Sequence, residues 1–391
     1  MSVFEFVAQT AFGLEAVVRR ELQKLGYEPT GQEDGRVMFK GDASAICRSN
    51  LWLRSAERVA VVVGRFPARD FDELFDQIKE LPWEEWIGVD DTFPVTASVV
   101  RSTIRSGVST QKMVKRAIVE RLRKSYTRHW FQESGPEYRV DCSIIRDQVL
   151  LTIDTTGAGL HKRGYRRLTG DAPLRETLAA AMVQLSYWSS NRFFIDPLCG
   201  TGTIPIEAAL IGRNLAPGRN RNFTAQTWRQ VPNNLWSDAL QEAKDLEIAN
   251  LPLAISGSDI DSRAIKVARQ SAKEAGLSGD IQFSVRDFVD MPSGRDYGVL
   301  ITNPPYGERM GDRDSVAKLN RDLGELMTML ETWSYYILTA APYFERQFGK
   351  RADRRRKLYN GNIECTFYQY TGPKPPIGHS AVSDLDENPI D

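Results

Sequence analysis

Residues 191–212 read NRFFIDPLCGTGTIPIEAALIG: an apolar run, a turn with two glycines, then apolar residues at helical spacing. This order predicts a strand ending at Asp196, a loop, and a helix opening near Thr203. Gly200 and Gly202 allow the backbone to approach a ligand, and the amino end of the helix offers unpaired N–H groups. As a dinucleotide fingerprint the stretch fails. The third glycine position holds Pro205, and the next acid at a strand end, Asp259, lies 59 residues after Gly200 rather than about 20.

Three further strand ends stand in register behind this loop. GSDID (257–261) ends the second strand, with Asp259 placed to accept both hydroxyls of a ribose. RDF (286–288) ends the third, where Asp287 can accept from an adenine amino group. NPPYGERM (303–310) ends the fourth. A single acid at such a place reads as a helix N-cap. Asp196, Asp259, Asp287 and Asn303 in succession read as a ligand edge, where open α/β sheets bind.

From Leu174 onward strand and helix alternate: the helix PLRETLAAAMVQLSYW, then strands at LAISGSDI, IQFSVRDF, GVLITNPP, WSYYILTA and ECTFYQY. That alternation predicts an α/β doubly wound parallel sheet over 174–377. Residues 213–252 form an insertion whose Trp228 and Trp236 read as anchors to the core in preference to RNA-stacking groups. Cys199 reads as a small residue beside a ligand, and Tyr335 and Tyr336 as part of a buried strand. Upstream, 1–65 and 66–156 read as two smaller units of strands and helices. Residues 157–173, rich in Gly and charge and including His161, read as a linker, and 378–391 as an acidic disordered tail.

The 51 Lys and Arg cancel the 51 Asp and Glu, and 41% hydrophobic residues exclude a disordered chain. Mapped along the sequence the charge is uneven. Residues 1–97 hold 11 basic and 17 acidic side chains, whereas 98–167 hold 15 and 6. Arg101, Arg105, Lys112, Lys115, Arg116, Arg123, Lys124 and Arg128 cluster on a long helix and the turn before it, with Trp130 just beyond. A second basic run, RQFGKRADRRRK, lies at 346–357. Two such clusters predict contact with a phosphate backbone. Four scattered cysteines and three separate histidines predict neither zinc nor a disulfide framework. The absence of a signal peptide or a long apolar run predicts a cytoplasmic protein without a membrane partner.

The loops resemble those of class I S-adenosylmethionine-dependent methyltransferases that act on exocyclic amines through Asn-Pro-Pro-Tyr. The whole layout resembles the THUMP-domain RNA guanine-N2 methyltransferases, the bacterial large-subunit rRNA type in particular, with APLRETLAAA at 172–181 and CGTGT at 199–203. The resemblance implies a ferredoxin-like unit and a THUMP domain (α+β) before a Rossmann-like methyltransferase domain. It implies S-adenosylmethionine held by Asp196, Cys199, Gly200, Thr201, Gly202, Thr203, Asp259, Ile260, Asp287 and Phe288. It implies catalysis at Asn303, Pro304, Pro305 and Tyr306, without a metal or a dedicated general base. A conjugated amine needs acceptors for its two hydrogens so that its lone pair can turn toward the methyl. The Asn303 side-chain oxygen and the Pro304 carbonyl suit that task, and Tyr306 offers a ring for a flipped base. The expected substrate is guanine N2 in 23S rRNA. A tRNA substrate, DNA adenine-N6 or protein glutamine-N5 chemistry, and a silent RNA-binding protein are the alternatives.

Overall fold

The computed structural model describes residues 3–166, 174–291, 295–306 and 313–376. The tail expected at 378–391 and residues 167–173 of the expected linker lie outside the described residues. Two compact units emerge. The first takes residues up to Thr10, then Arg19–Leu160 and Asn222–Glu242; the second takes Ala11–Val18, His161–Arg221 and the chain from Ala243 onward.

In chain order the first 160 residues form β1 (Phe4–Thr10), α1 (Glu15–Lys24), β2 (Pro29–Glu33), β3 (Arg36–Gly41), α2 (Ala43–Trp52), β4 (Ala56–Pro67), α3 (Phe71–Glu80), β5 (Val95–Val100), α4 (Gly107–Tyr126), β6 (Val140–Ile145) and β7 (Gln148–Asp154). The helices start where the side chains say they should. Asp42 accepts from the Ser44 N–H at 2.9 Å, Asp70 from Glu73 at 2.8 Å, and Ser106 from Ser109 at 3.1 Å. The strands join in one sheet, ordered β2-β3-β1-β4-β7-β6-β5. The expected boundary at residue 65 falls within β4. This 12-residue strand pairs with β1 over residues 56–61 and with β7 over residues 60–67, so its middle is hydrogen-bonded on both sides. β2 (PTGQE) has no apolar alternation; its pairing with β3 makes it a strand.

The second unit contains α5 (Glu176–Leu185), β8 (Phe194–Asp196), α6 (Thr203–Gly212), and, after α7 (Asn233–Asp245) in the insertion, β9 (Ile255–Asp259), α8 (Ser262–Glu274), β10 (Gln282–Val285), β11 (Val299–Thr302), α9 (Arg313–Met329), β12 (Ser334–Thr339), α10 (Phe344–Phe348), β13 (Arg354–Asn360) and β14 (Ile363–Tyr370). Its sheet runs β10-β9-β8-β11-β12-β14-β13. The first five strands are parallel, and β14 and β13 add an antiparallel edge. Alternate side chains feed two cores. Phe194, Val299, Ile301, Tyr336 and Leu338 pack with residues of α5, α6 and α8, whereas Ile195, Leu300, Tyr335 and Ile337 pack with residues of α9 and α10. This two-sided burial explains why β11 and β12 are largely apolar on both faces. The basic run 354–357 opens the edge strand β13. Arg354, Arg355 and Lys357 are exposed, the latter two pairing with Glu345 and Glu364, and Arg356 is half-buried. Charge of this kind blunts the edge against further pairing.

The insertion departs from its expected place. Residues 222–242 fold with the first unit, not with the 174–377 domain that contains them in sequence. Trp228, 2% exposed, stacks on Tyr138 at 4.5 Å and donates its indole N–H to the Glu137 carbonyl at 2.9 Å. The Gln230 amide donates to the carbonyls of Glu85 and Trp86 and accepts from the Tyr138 hydroxyl. Trp236 is buried and stacks on Phe223. Both tryptophans are therefore anchors, as read from the sequence, but Trp228 anchors to the first unit.

Trp228→Ala should lower the stability of the first unit by about 3–5 kcal/mol. Trp228→Phe keeps the stack and leaves the Glu137 carbonyl unpaired, so it should fall between the two. Thermal unfolding of the full chain ranks the three; equal melting points for Phe and Ala variants would contradict the stacked anchor.

Candidate active site

The strand order places Asp287, Asp259, Asp196 and Asn303 side by side along the carboxyl edge, at or just beyond the ends of β10, β9, β8 and β11. The order of connection reverses at β8, which has β9 and β10 on one side and β11 and β12 on the other, and a crevice opens at such a reversal.

Two loop glycines have different reasons. Gly200, at φ +52°, has nothing within 4 Å of where a Cβ would stand, so its side of the loop is open. Gly202, at φ +81°, would drive a Cβ to 2.9 Å from Ala268 and Phe283; close packing on α8 and β10 requires it. Asp259 braces the loop from the neighbouring strand. One carboxylate oxygen accepts from the Gly200 N–H and the other from the Asp261 N–H, both at 2.9 Å. Each oxygen keeps a further lone pair. Ile260 beside it is 69% exposed.

Asp196 lies buried beneath the edge. It is 1% exposed, accepts from the Thr302 hydroxyl at 2.7 Å and from the Leu198 N–H at 3.2 Å, and so ties the end of β8 to the end of β11. Burial pushes its carboxyl up to about 7, with the nearby Asp259 charge adding to the shift. Burial also raises the Cys199 thiol, which suits a packed small residue and opposes a thiolate nucleophile. Phe288 is 5% exposed within the core, while Asp287 is exposed and accepts from the Val289 N–H.

Asn303 and Tyr306 are half-buried, Pro304 is buried and Pro305 is exposed. The Tyr306 hydroxyl donates to the Asn303 side-chain oxygen. This holds the carboxamide in one orientation and leaves that oxygen a second lone pair. Burial pushes the Tyr306 phenol well above its ordinary range, so it remains a donor.

The expected linker contributes buried groups that the sequence reading missed. Arg163 and Tyr165 are each 3% exposed and both donate to Glu207, itself fully buried. Arg166 pairs with Glu176 at 3.2 Å and donates to the hydroxyls of Thr201 and Thr203 in the glycine loop. In sequence KRGYRR shows glycine, charge and one tyrosine. No periodicity marks three of its side chains as buried partners.

The basic helix is less free than its charge suggests. Lys115 points inward: it donates to Glu133 at 2.6 Å and to the Phe93 carbonyl, and its ammonium lies 3.4 Å from the centre of the Phe93 ring. That corrects its place among the expected phosphate contacts. Arg123 pairs with Glu120, and Arg128 reaches within 3.9 Å of Asp90. Arg116 sits over the Phe75 ring with its side chain exposed. Arg101, Arg105, Lys112 and Lys124 are exposed, and Arg101 helps line a cavity of about 570 Å³ with Arg36, Arg65 and Arg146. Among the described residues no cluster suits a metal ion, and no helix is long and apolar enough to cross a membrane.

Comparison with known proteins agrees with this geometry. Residues 163–369 match the RMKL-like methyltransferase domain, 5–60 the RlmL ferredoxin-like domain and 68–154 the THUMP domain. YpsC of Bacillus subtilis (strain 168), an RNA methyltransferase by name, is 45% identical over 95% of this chain and 96% of its own. Ribosomal RNA large subunit methyltransferase K/L of Syntrophotalea carbinolica is 34% identical over 97% of this chain, which spans 56% of that longer protein. Two solved structures cover nearly the whole chain. One, from Listeria monocytogenes, is named for N6-adenine-specific DNA methylation (50% identity, TM-score 0.91, 95% of this chain and 97% of that one). The other, SMU.472, is a methyltransferase by name, solved with S-adenosylhomocysteine (43% identity, TM-score 0.90, 96% of this chain and all of that one).

The raised Asp196 carboxyl makes stability depend on pH with a definite sign. A folded-state value near 7 against an ordinary 3.8 means that the folded protein holds this proton more tightly. The favourable contribution is complete below about 3.8 and is lost as pH rises through 7. The stability of wild type relative to Asp196→Asn should therefore fall between pH 4 and 7 and level off above. Denaturant unfolding at a series of pH values measures it; a difference that stays constant over that range would refute the buried, protonated carboxyl.

Proposed function

This chain belongs to the RMKL-like family of S-adenosylmethionine-dependent RNA methyltransferases, and from that premise we propose that it methylates the exocyclic N2 amine of a guanine in 23S ribosomal RNA. The observation that carries the reading is the keyed pair of loops: Asn-Pro-Pro-Tyr at the end of β11 and the glycine loop at the end of β8, joined through Thr302 and Asp196.

The residues present fit the cofactor. The open side of Gly200 admits a ligand against the backbone, Asp259 lies at the edge with spare acceptor capacity for a ribose diol, and Ile260 offers an exposed apolar face beside it. Asp287 is exposed one strand further on, placed to accept from the adenine amine. S-adenosylmethionine, when bound, supplies an electrophilic methyl on a sulfonium. The chain's own work is positioning. Asn303, its carboxamide held by Tyr306, accepts one hydrogen of the target amine and the Pro304 carbonyl the other, which turns the lone pair outward. Pro304 and Pro305 remove backbone donors and stiffen the loop, and the Tyr306 ring supports the base. The exposed cations of the first unit, Arg101, Arg105, Lys112 and Lys124 among them, serve to bind phosphate.

The large-subunit rRNA relative supports ribosomal RNA as substrate. A second reading, methylation of adenine N6, uses the same acceptor geometry and is supported by the name of the Listeria protein.

Incubation of the enzyme with ribosomal and transfer RNA from a strain lacking it, followed by mass analysis of nucleosides, separates the readings. N2-methylguanosine in large-subunit rRNA is expected. N6-methyladenosine would overturn the base, and product confined to tRNA the substrate. Asn303→Ala should lower kcat by about 10²–10³-fold with cofactor affinity largely kept. Asp259→Ala should weaken cofactor binding by about 1–3 kcal/mol in calorimetry.

A further inference from the structure

We propose that the loop closing α4, residues 127–131, is a stacking platform for an unpaired nucleotide of the RNA, with Trp130 as the ring on which the base lies. The inference deepens the RNA-substrate reading and rests on it.

Trp130 is 81% exposed, more than any other large apolar side chain among the described residues. The chain buries its indoles elsewhere: Trp83, Trp86, Trp228, Trp236 and Trp333 are all less than a tenth exposed. A large ring left in water gives up the burial that ordinarily stabilises it. The loop around it is also tied down. Thr127 turns the chain out of α4 in the left-handed region at φ +52°. The Arg123 guanidinium donates twice to the His129 carbonyl, at 3.2 and 3.1 Å. Phe131, the next residue, is buried edge-on against Phe93. Trp130 is thus held outward between two fixed neighbours.

Charge decides what the ring faces. Earlier on α4, Lys115 and Arg121 are neutralised by Glu133 and Glu84. Along the sequence around Trp130 the exposed side chains are Arg123, Lys124, Ser125, Thr127, Arg128, His129 and Gln132, with no second large apolar group among them. Arg123 pairs with Glu120, and Arg128 reaches Asp90 at 3.9 Å. A protein-docking hot spot needs an apolar surround that excludes water; a lone ring among cations suits a base flanked by phosphates. The helix macrodipole accounts for Arg123 and Lys124 in the last turn of α4. It does not account for Arg128, His129 and Trp130, which lie beyond the helix end. Bases inside a duplex present no free face, so the platform selects unpaired nucleotides.

The full-length protein is titrated with a labelled single-stranded RNA oligonucleotide and with the same oligonucleotide annealed to its complement. Trp130→Ala should weaken single-strand binding about ten- to hundredfold, leave duplex binding unchanged, and keep the slope of log affinity against log salt. Trp130→Phe should recover most of the loss and remove the tryptophan quenching expected when single-stranded RNA binds the wild type. An unchanged single-strand affinity, an equal loss on both RNAs, or a flattened salt slope in Trp130→Ala would each overturn the platform. The melting temperature should not move, because the ring buries little; if it falls in Trp130→Ala, the single-strand comparison is read from Trp130→Phe and Trp130→Leu, and equal affinities for those two refute stacking. Failure of the RNA reading itself looks different: wild type would bind neither RNA and transfer no methyl group to either.

Discussion

The hydrogen bond from the Thr302 hydroxyl to Asp196 keys the ends of β8 and β11 to one buried carboxyl. The two loops that leave those strand ends are the glycine loop and Asn-Pro-Pro-Tyr, so their spacing is set beneath the surface. Asp196 also receives the Leu198 N–H, which starts the glycine loop in a defined direction. A carboxyl so placed is costly to ionise, and its raised value is the consequence. Asp259 then braces the same loop from β9, and Arg166 with Glu176 holds its threonines from the other side. The loop is anchored from three directions. Such fixed geometry suits a reaction whose rate comes from orientation rather than from a strong acid or base.

The first unit follows another constraint. Its single sheet continues through β4, which pairs with β1 on one side and β7 on the other, so the ferredoxin-like and THUMP parts share a backbone ladder. The insertion 222–242 adds its indole and amide groups to that unit through Tyr138, Glu137 and Trp86. Much of the basic charge on α4 is spent internally: Lys115, Arg121 and Arg123 answer Glu133, Glu84 and Glu120. Net charge along a segment therefore overstates what is left for phosphate. On α4 and the turn before it, the exposed cations outside these pairs are Arg101, Arg105, Lys112, Arg116 and Lys124, whereas Arg128, two residues before Trp130, reaches Asp90.

The amino-acid sequence by itself determined the class of fold and the row of ligand-edge residues. An apolar strand, a two-glycine turn and a helix are local features, and four strand ends carrying Asp, Asp, Asp and Asn follow from strand periodicity. Side chains that alternate between two cores leave an apolar imprint that composition alone displays. Tertiary structure decided which of those residues are exposed and which are buried: Asp196 and Phe288 are buried, Asp259 is half-buried, and Ile260 and Asp287 are exposed at the carboxyl edge. It also decided that Arg163 and Tyr165 pack on Glu207 of α6 while Arg166 reaches the glycine loop, that RRRK opens an edge strand, and that the insertion belongs to the first unit. The physical reason is the same in each case. Charged, glycine-rich and irregular segments have no periodicity of their own, and their place is set by partners tens to hundreds of residues away, such as Glu207 for Arg163 and Tyr138 for Trp228.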